Sequence, residues 1–168
     1  MGLSCRECAV YVVDGDADSR CTLVCQLQAH GLTVLAFESA EAFLENHDRI
    51  HAGCLILELN LPGMNGLALQ RCLNQLQIWL PLIFMTSSAD VASAVTAIQN
   101  GAVDFLRKDP DCSRLIARVN RLFAAIGTGR PVPWRYHPYA PSPDCWRNVR
   151  QVQPCNSAVF RRRLQHVE

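Results

Sequence analysis

Lysine is almost absent from this chain: Lys108 is its only lysine, and every other strong base is arginine. Long hydrophobic runs are missing too. No stretch approaches the roughly 18 apolar residues that a membrane span needs, and the opening MGLSCREC, with Arg6 and Glu7, offers no apolar core for a signal peptide. A cytoplasmic protein with no membrane partner is expected. A formal net charge of +1 excludes strong overall attraction to nucleic acid or anionic lipid. The first apolar run is followed by a lone Gly15 rather than a G-x-G-x-x-G or Walker glycine loop, so a nucleotide-binding enzyme is not expected. No internal repeat is visible. Cys5 and Cys8 have C-x-x-C spacing but lack the second ligand pair of a structural zinc site. The nine cysteines are expected to be reduced thiols, with Cys21, Cys25, Cys54 and Cys72 on apolar faces of helices and a strand.

What is present is organised around Cys54 to Gly66, CLILELNLPGMNG. Four apolar residues, Cys54 to Leu57, give way to Glu58 and then to a turn with Pro62, Gly63, Asn65 and Gly66. A short apolar run with such an exit reads as a central strand of a parallel sheet, with Glu58 at its carboxyl end. Ala9–Val13 is a second such run, ending in Asp14-Gly15-Asp16. Further strands are predicted at Thr33–Phe37, Leu82–Thr86 and Val103–Arg107. Helices are predicted at Asp18–His30, Ala40–His47, Leu67–Leu76, Val91–Asn100 and Ser113–Ala125, with Ser39 and Asp90 as N-cap residues and Gly31 and Gly101 closing two of them. Five strands alternate with five helices through short connections. The fold class is therefore α/β, a five-stranded, doubly wound parallel sheet.

In such a sheet the strand ends converge, and ligands bind where the strand order reverses. The residues placed there are Asp14, Asp16, Glu58, Thr86 and Lys108. Carboxylates, a hydroxyl and an ammonium at one edge suit a divalent cation and a phosphoryl group. The plainer alternative is an ion pair between Lys108 and the acids.

From Ile126 onward the composition changes. Residues 126–168 are rich in proline, tryptophan and arginine without periodicity, and Pro131, Pro133, Pro138, Pro141 and Pro143 forbid regular helix there. This basic tail is expected to be disordered and non-globular. Its aromatic residues, Trp134, Tyr136, Tyr139 and Trp146, leave nucleic-acid binding as the other reading.

The segments VYVVDGDADSR, LILELNLPGMNGL, PLIFMTSSAD and GAVDFLRK resemble the motifs of response-regulator receiver (CheY-like) domains, nearest the FixJ-like branch. The resemblance spans residues 8–125. It implies a flavodoxin-like sheet of order 2-1-3-4-5 and a role in two-component phosphorelay signalling, not enzymatic activity. By the same resemblance, Glu58 holds the position of the phosphorylated aspartate, Thr86 that of the switch hydroxyl, Phe105 that of the aromatic switch residue, and Lys108 that of the family's lysine. Asp14 matches the first of the family's acidic pair, while Gly15 stands where a direct Mg²⁺ ligand is usual, leaving Asp14, Asp16 and Glu58 as a weakened metal set. Asp109 lies between Lys108 and Pro110, where the family has proline directly after the lysine. The implied function is an atypical or pseudo-receiver whose partner is a sensor histidine kinase or another signalling protein. Homodimerisation through the helix 4, strand 5, helix 5 face is a further implication. The alternative is a FixJ/LuxR-type transcription regulator whose DNA-binding domain is truncated or replaced by the tail, since no pair of helices with a helix-turn-helix pattern is visible after residue 126.

Overall fold

The computed structural model describes residues 8–46, 52–88 and 90–128. Five strands, β1 (Ala9–Val13), β2 (Thr33–Phe37), β3 (Gly53–Glu58), β4 (Leu82–Thr86) and β5 (Asp104–Arg107), alternate with five helices. These are α1 (Ala17–Ala29), α2 (Ala40–Glu45), α3 (Gly66–Leu76), α4 (Val91–Gln99) and α5 (Ser113–Thr128). The strands form one parallel sheet of order β2-β1-β3-β4-β5, the flavodoxin-like order expected.

The near-continuous apolar runs follow from this topology, because β1, β3 and β4 are buried on both faces. Val10, Val12, Cys54, Ile56 and Ile83 face a layer that contains Leu23 and Leu27 of α1 and Leu115, Val119 and Leu122 of α5. Tyr11, Val13, Leu55, Leu57 and Phe84 face the opposite layer, with Phe43 of α2 and Leu69 and Leu73 of α3. The pleat sends alternate residues to opposite faces, so a six-residue run such as GCLILE feeds both cores.

Each of the first four helices is started by a side chain that takes an otherwise unpaired amide. Asp16 accepts from Ser19 N at 2.7 Å, Ser39 from Ala42 N at 3.1 Å, Asn65 from Ala68 N at 2.9 Å and Asp90 from Ser93 N at 2.8 Å. The expected caps Ser39 and Asp90 are in place. Element boundaries differ from the sequence reading by one to three residues. α1 begins at Ala17, one residue early, because Asp16 is its cap, and α3 begins at Gly66 because Asn65 is its cap. β5 begins at Asp104 rather than Val103. α5 runs to Thr128, past the expected end at Ala125, because Ile126 continues the apolar spacing of Val119, Leu122 and Phe123 and packs on the same core. The remainder of the expected tail, and His47 at the expected end of the second helix, lie outside the described residues.

The cysteine expectation divides. Cys54 and Cys72 are buried as small apolar side chains, whereas Cys21 and Cys25 are exposed on α1, because Leu23 and Leu27 take the face of that helix that meets the sheet. α4 carries no charged residue and leaves Val91, Val95 and Ile98 exposed.

Candidate functional site: an acidic pocket bridged by one lysine

The strand order reverses between β1 and β3, and there the register sets Val13 beside Leu57. The next residues along the chain, Asp14 and Glu58, are thus neighbours at the carboxyl edge. Both are nearly buried, at 3% and 6% exposure. Lys108, one residue beyond β5, donates its amide to the Thr86 carbonyl at 2.9 Å, which fixes the start of its loop on β4. From there its ammonium reaches back over β4 and lies 2.7 Å from Asp14 Oδ2 and 2.6 Å from Glu58 Oε2. One cation thus joins two carboxylates.

The remaining contacts close the set. Asp14 Oδ2 also accepts from Ser19 Oγ at 2.8 Å, and its Oδ1 accepts from the Asp16 amide at 3.0 Å. Glu58 Oε1 accepts from the Asn60 amide at 3.1 Å. Burial alone would push the Asp14 carboxyl up, yet the bonds from Lys108, Ser19 and the Asp16 amide, with the lysine charge, hold it below the ordinary aspartate range. Burial likewise opposes the Lys108 charge, but its bonds to Asp14 and Glu58 and the charges of both raise it above the ordinary lysine range.

The other candidates stand apart. Asp16 is exposed and caps α1, so its carboxylate is taken by the Ser19 amide and it does not join Asp14 and Glu58. Among the described residues no three His, Cys, Asp or Glu side chains converge to hold a metal ion. The start of α1 thus occupies Asp16 apart from the other two acids of the expected metal set. Thr86 is fully buried, and its hydroxyl turns into its own loop, donating to the Ser88 carbonyl at 3.1 Å and accepting from the Ser88 amide at 3.2 Å. Its bonds go to Ser88 and not to Glu58. Phe105 is half-buried, its ring centroid 5.8 Å from that of Phe84.

Gly15 is more than an absent ligand. A Cβ built on it would lie 2.7 Å from Cδ of Pro62, in the β3–α3 loop, so any side chain there requires the loop to move. That loop is held from the other side by Glu41, whose Oε1 accepts from the Met64 amide at 2.9 Å. At its end Gly66 has no room for a side chain, since a Cβ there would come within 2.5 Å of the Glu58 carbonyl. The Mg²⁺ implied by the family would be held by Asp14 and Glu58, whose oxygens also serve Lys108, Ser19 and two amides, while residue 15 supplies no side-chain oxygen. On the far side of Lys108 a cavity of about 220 Å³, lined by Ser19, Gln26, Met85, Asp109 and Cys112 among others, opens between α1 and the β5–α5 loop.

Sequence reasoning brought Asp14, Glu58 and Lys108 to one place, and they are together. It missed Ser19, Glu41 and Pro62, and also Arg20, whose Nη1 donates to the Asp14 carbonyl at 2.6 Å. Reading Asp16 as an N-cap would have found Ser19 and Arg20, because it turns the first turn of α1 back over the end of β1. Glu41 and Pro62 carry no such local signal.

Comparison with known proteins agrees with this geometry. The response regulator receiver domain model matches residues 10–120. Response regulator protein TmoT of Ectopseudomonas mendocina is 40% identical over 103 residues, 61% of this chain and 47% of its own length. Transcriptional regulatory protein FixJ of Bradyrhizobium diazoefficiens is 36% identical over 110 residues, 66% of this chain and 54% of its own. The chain thus spans about half the length of these relatives. Among solved structures, the FixJ-N crystal structure superposes with a TM-score of 0.66 at 35% identity, covering 70% of this chain and 94% of that one. The response regulator StyR superposes with a TM-score of 0.67 at 31% identity, covering 74% and 63%. With its sheet order, its acidic strand ends and its bridging lysine, the chain belongs to the response-regulator receiver family of two-component signalling.

Proposed function

We propose that this receiver is a pseudo-receiver, signalling by protein–protein contact without an aspartyl phosphate. The observation that supports it most is the bridged state of Lys108, whose ammonium satisfies Glu58 at 2.6 Å and Asp14 at 2.7 Å. Phosphoryl transfer to a carboxylate relies on cations free to neutralise the equatorial oxygens. Here the lysine is held by two carboxylates. Glu58 is one methylene longer than the family's aspartate, which moves the carboxylate by over about 1 Å, and a displacement of that size costs about a hundredfold in rate. With glycine at 15, Mg²⁺ affinity is reduced as well. Glu58 acts as a fixed internal anion for Lys108, and the domain is not an enzyme.

The output surface in this reading is the α4, β5, α5 face. α4 presents Val91 at 80%, Val95 at 48% and Ile98 at 47% exposure, an apolar stripe at helical spacing that suits a second copy or a signalling partner. A sensor histidine kinase is the partner class the family supplies. No helix among the described residues is long and apolar enough to cross a membrane, and the reading places the protein in the cytoplasm. The test is NMR of the natural protein with beryllofluoride and Mg²⁺. Unchanged resonances of Thr86, Phe105 and Lys108 are expected, and saturable shifts at all three would overturn the proposal.

A second reading is favoured by the relatives' printed roles: FixJ is a transcriptional regulatory protein and NtrC of Escherichia coli a DNA-binding transcriptional regulator. In that reading the chain regulates transcription, and the arginine-rich residues that follow the receiver contact DNA. Such binding would weaken steeply with ionic strength, in proportion to the phosphates contacted. Absence of DNA binding at low salt removes it.

A further inference from the structure

The described residues include six cysteines. Cys8, Cys54, Cys72 and Cys112 are buried, and burial pushes the thiols of the last three up, which keeps them protonated and unreactive. Cys21 and Cys25 are exposed, against the usual burial of free cysteine. Both lie in α1, four residues apart, so they share one face of the helix with Cβ atoms about 5–6 Å apart. A disulfide needs its Cβ atoms at about 3.5–4.5 Å. The helix therefore disfavours oxidation of the pair to one another, yet leaves the two sulfurs near enough to share one ion.

We propose that Cys21 and Cys25 form a two-thiolate site on the outer face of α1 for a soft d¹⁰ cation of the copper(I) class. Thiolates select soft ions. A structural Zn²⁺ asks for four ligands, whereas this surface offers two, with no third His, Cys, Asp or Glu converging among the described residues. On binding, two S–H bonds break, two metal–sulfur bonds form and two protons pass to solvent. The metal keeps its oxidation state, so no oxidant is required. The site also has a route to the acidic pocket. Cys21 directly follows Arg20 and Ser19, which bond the carbonyl and the carboxylate of Asp14 at 2.6 and 2.8 Å. Bridging Cys21 to Cys25 stiffens the turn from which those two side chains reach.

The test is an anaerobic titration of the full chain with copper(I), supplied as its acetonitrile complex and competed with a colorimetric copper(I) chelator. Cys21→Ser, Cys25→Ser and the double variant are run alongside, with circular dichroism to confirm the fold of each. The natural chain is expected to retain one equivalent that either single substitution removes, and loading is expected to shift the Ser19 and Arg20 amide resonances. Equal copper binding by the natural chain and the single variants overturns the proposal, as does light scattering that shows copper joining two chains.

Discussion

Replacing Lys108 by methionine removes the one cation between Asp14 and Glu58 and leaves two nearly buried carboxylates facing each other. Uncompensated buried charge is costly, and because the lysine side chain keeps 22% exposure the loss belongs at the low end of the range, about 3 kcal/mol. Urea unfolding reads it, and adding Glu58→Gln to Lys108→Met should recover part of the loss by removing the like-charge repulsion. Arg118 is a useful contrast. Its pair with Asp104 at 2.6 Å is more exposed, so Arg118→Ala should cost no more than about 1 kcal/mol. At Gly15 the prediction concerns shape. Gly15→Asp would restore a carboxylate at the usual ligand position, but its Cβ meets Pro62 Cδ at 2.7 Å, and forcing the loop outward should cost about 1–3 kcal/mol. The same substitution combined with Pro62→Ala should cost less. Equal losses in the single and double variants would show that the Pro62 ring is not the obstacle.

α4 has an unusual composition for a surface helix, with no charge and three exposed aliphatic side chains. Val95→Glu should change stability by no more than about 1 kcal/mol, since Val95 is 48% exposed, while weakening self-association measured by analytical ultracentrifugation. Unchanged association would exclude this stripe as the contact. The elements themselves were legible in the sequence where burial writes a simple pattern: β1, β3 and β4 are near-continuous apolar runs because both faces are covered, with Glu58 and Thr86 only at the carboxyl ends of the last two. Ser39 and Asp90 were legible as caps because the first apolar helical residues follow them. The capping role of Asp16 was not legible because an acid after a strand suits either a cap or a ligand, and only the backbone at Ala17 shows the cap. The end of α5 was lost for a similar reason, since the abrupt change in composition masked Ile126, which packs on the core. Asp14, Glu58 and Lys108 could be gathered by strand order alone. The contacts of Glu41 with Met64 and of Pro62 with Gly15 could not, because they depend on how two loops lie over the strand ends, and no periodic pattern records that.

For the molecule as a whole, the bridged pocket links stability to pH in two directions. Asp14 is lowered from 3.8, so its contribution is present above that value and is lost as pH falls through the lower folded-state value. Lys108 is raised from 10.5, so its contribution is present below that value and is lost as pH rises through the higher folded-state value. The stability difference between the natural chain and Lys108→Met should therefore be largest between these limits and shrink on both sides, as followed by urea midpoints across pH. A difference independent of pH would mean that the lysine acts through packing rather than charge. Phosphate independence is tested most directly by intact mass of the natural chain and of Glu58→Asp after incubation with acetyl phosphate and Mg²⁺. The predicted result is no phosphoryl adduct on the natural chain, with any adduct confined to the Asp variant. A stoichiometric adduct on the natural chain, mapped to Glu58, would contradict the pseudo-receiver reading.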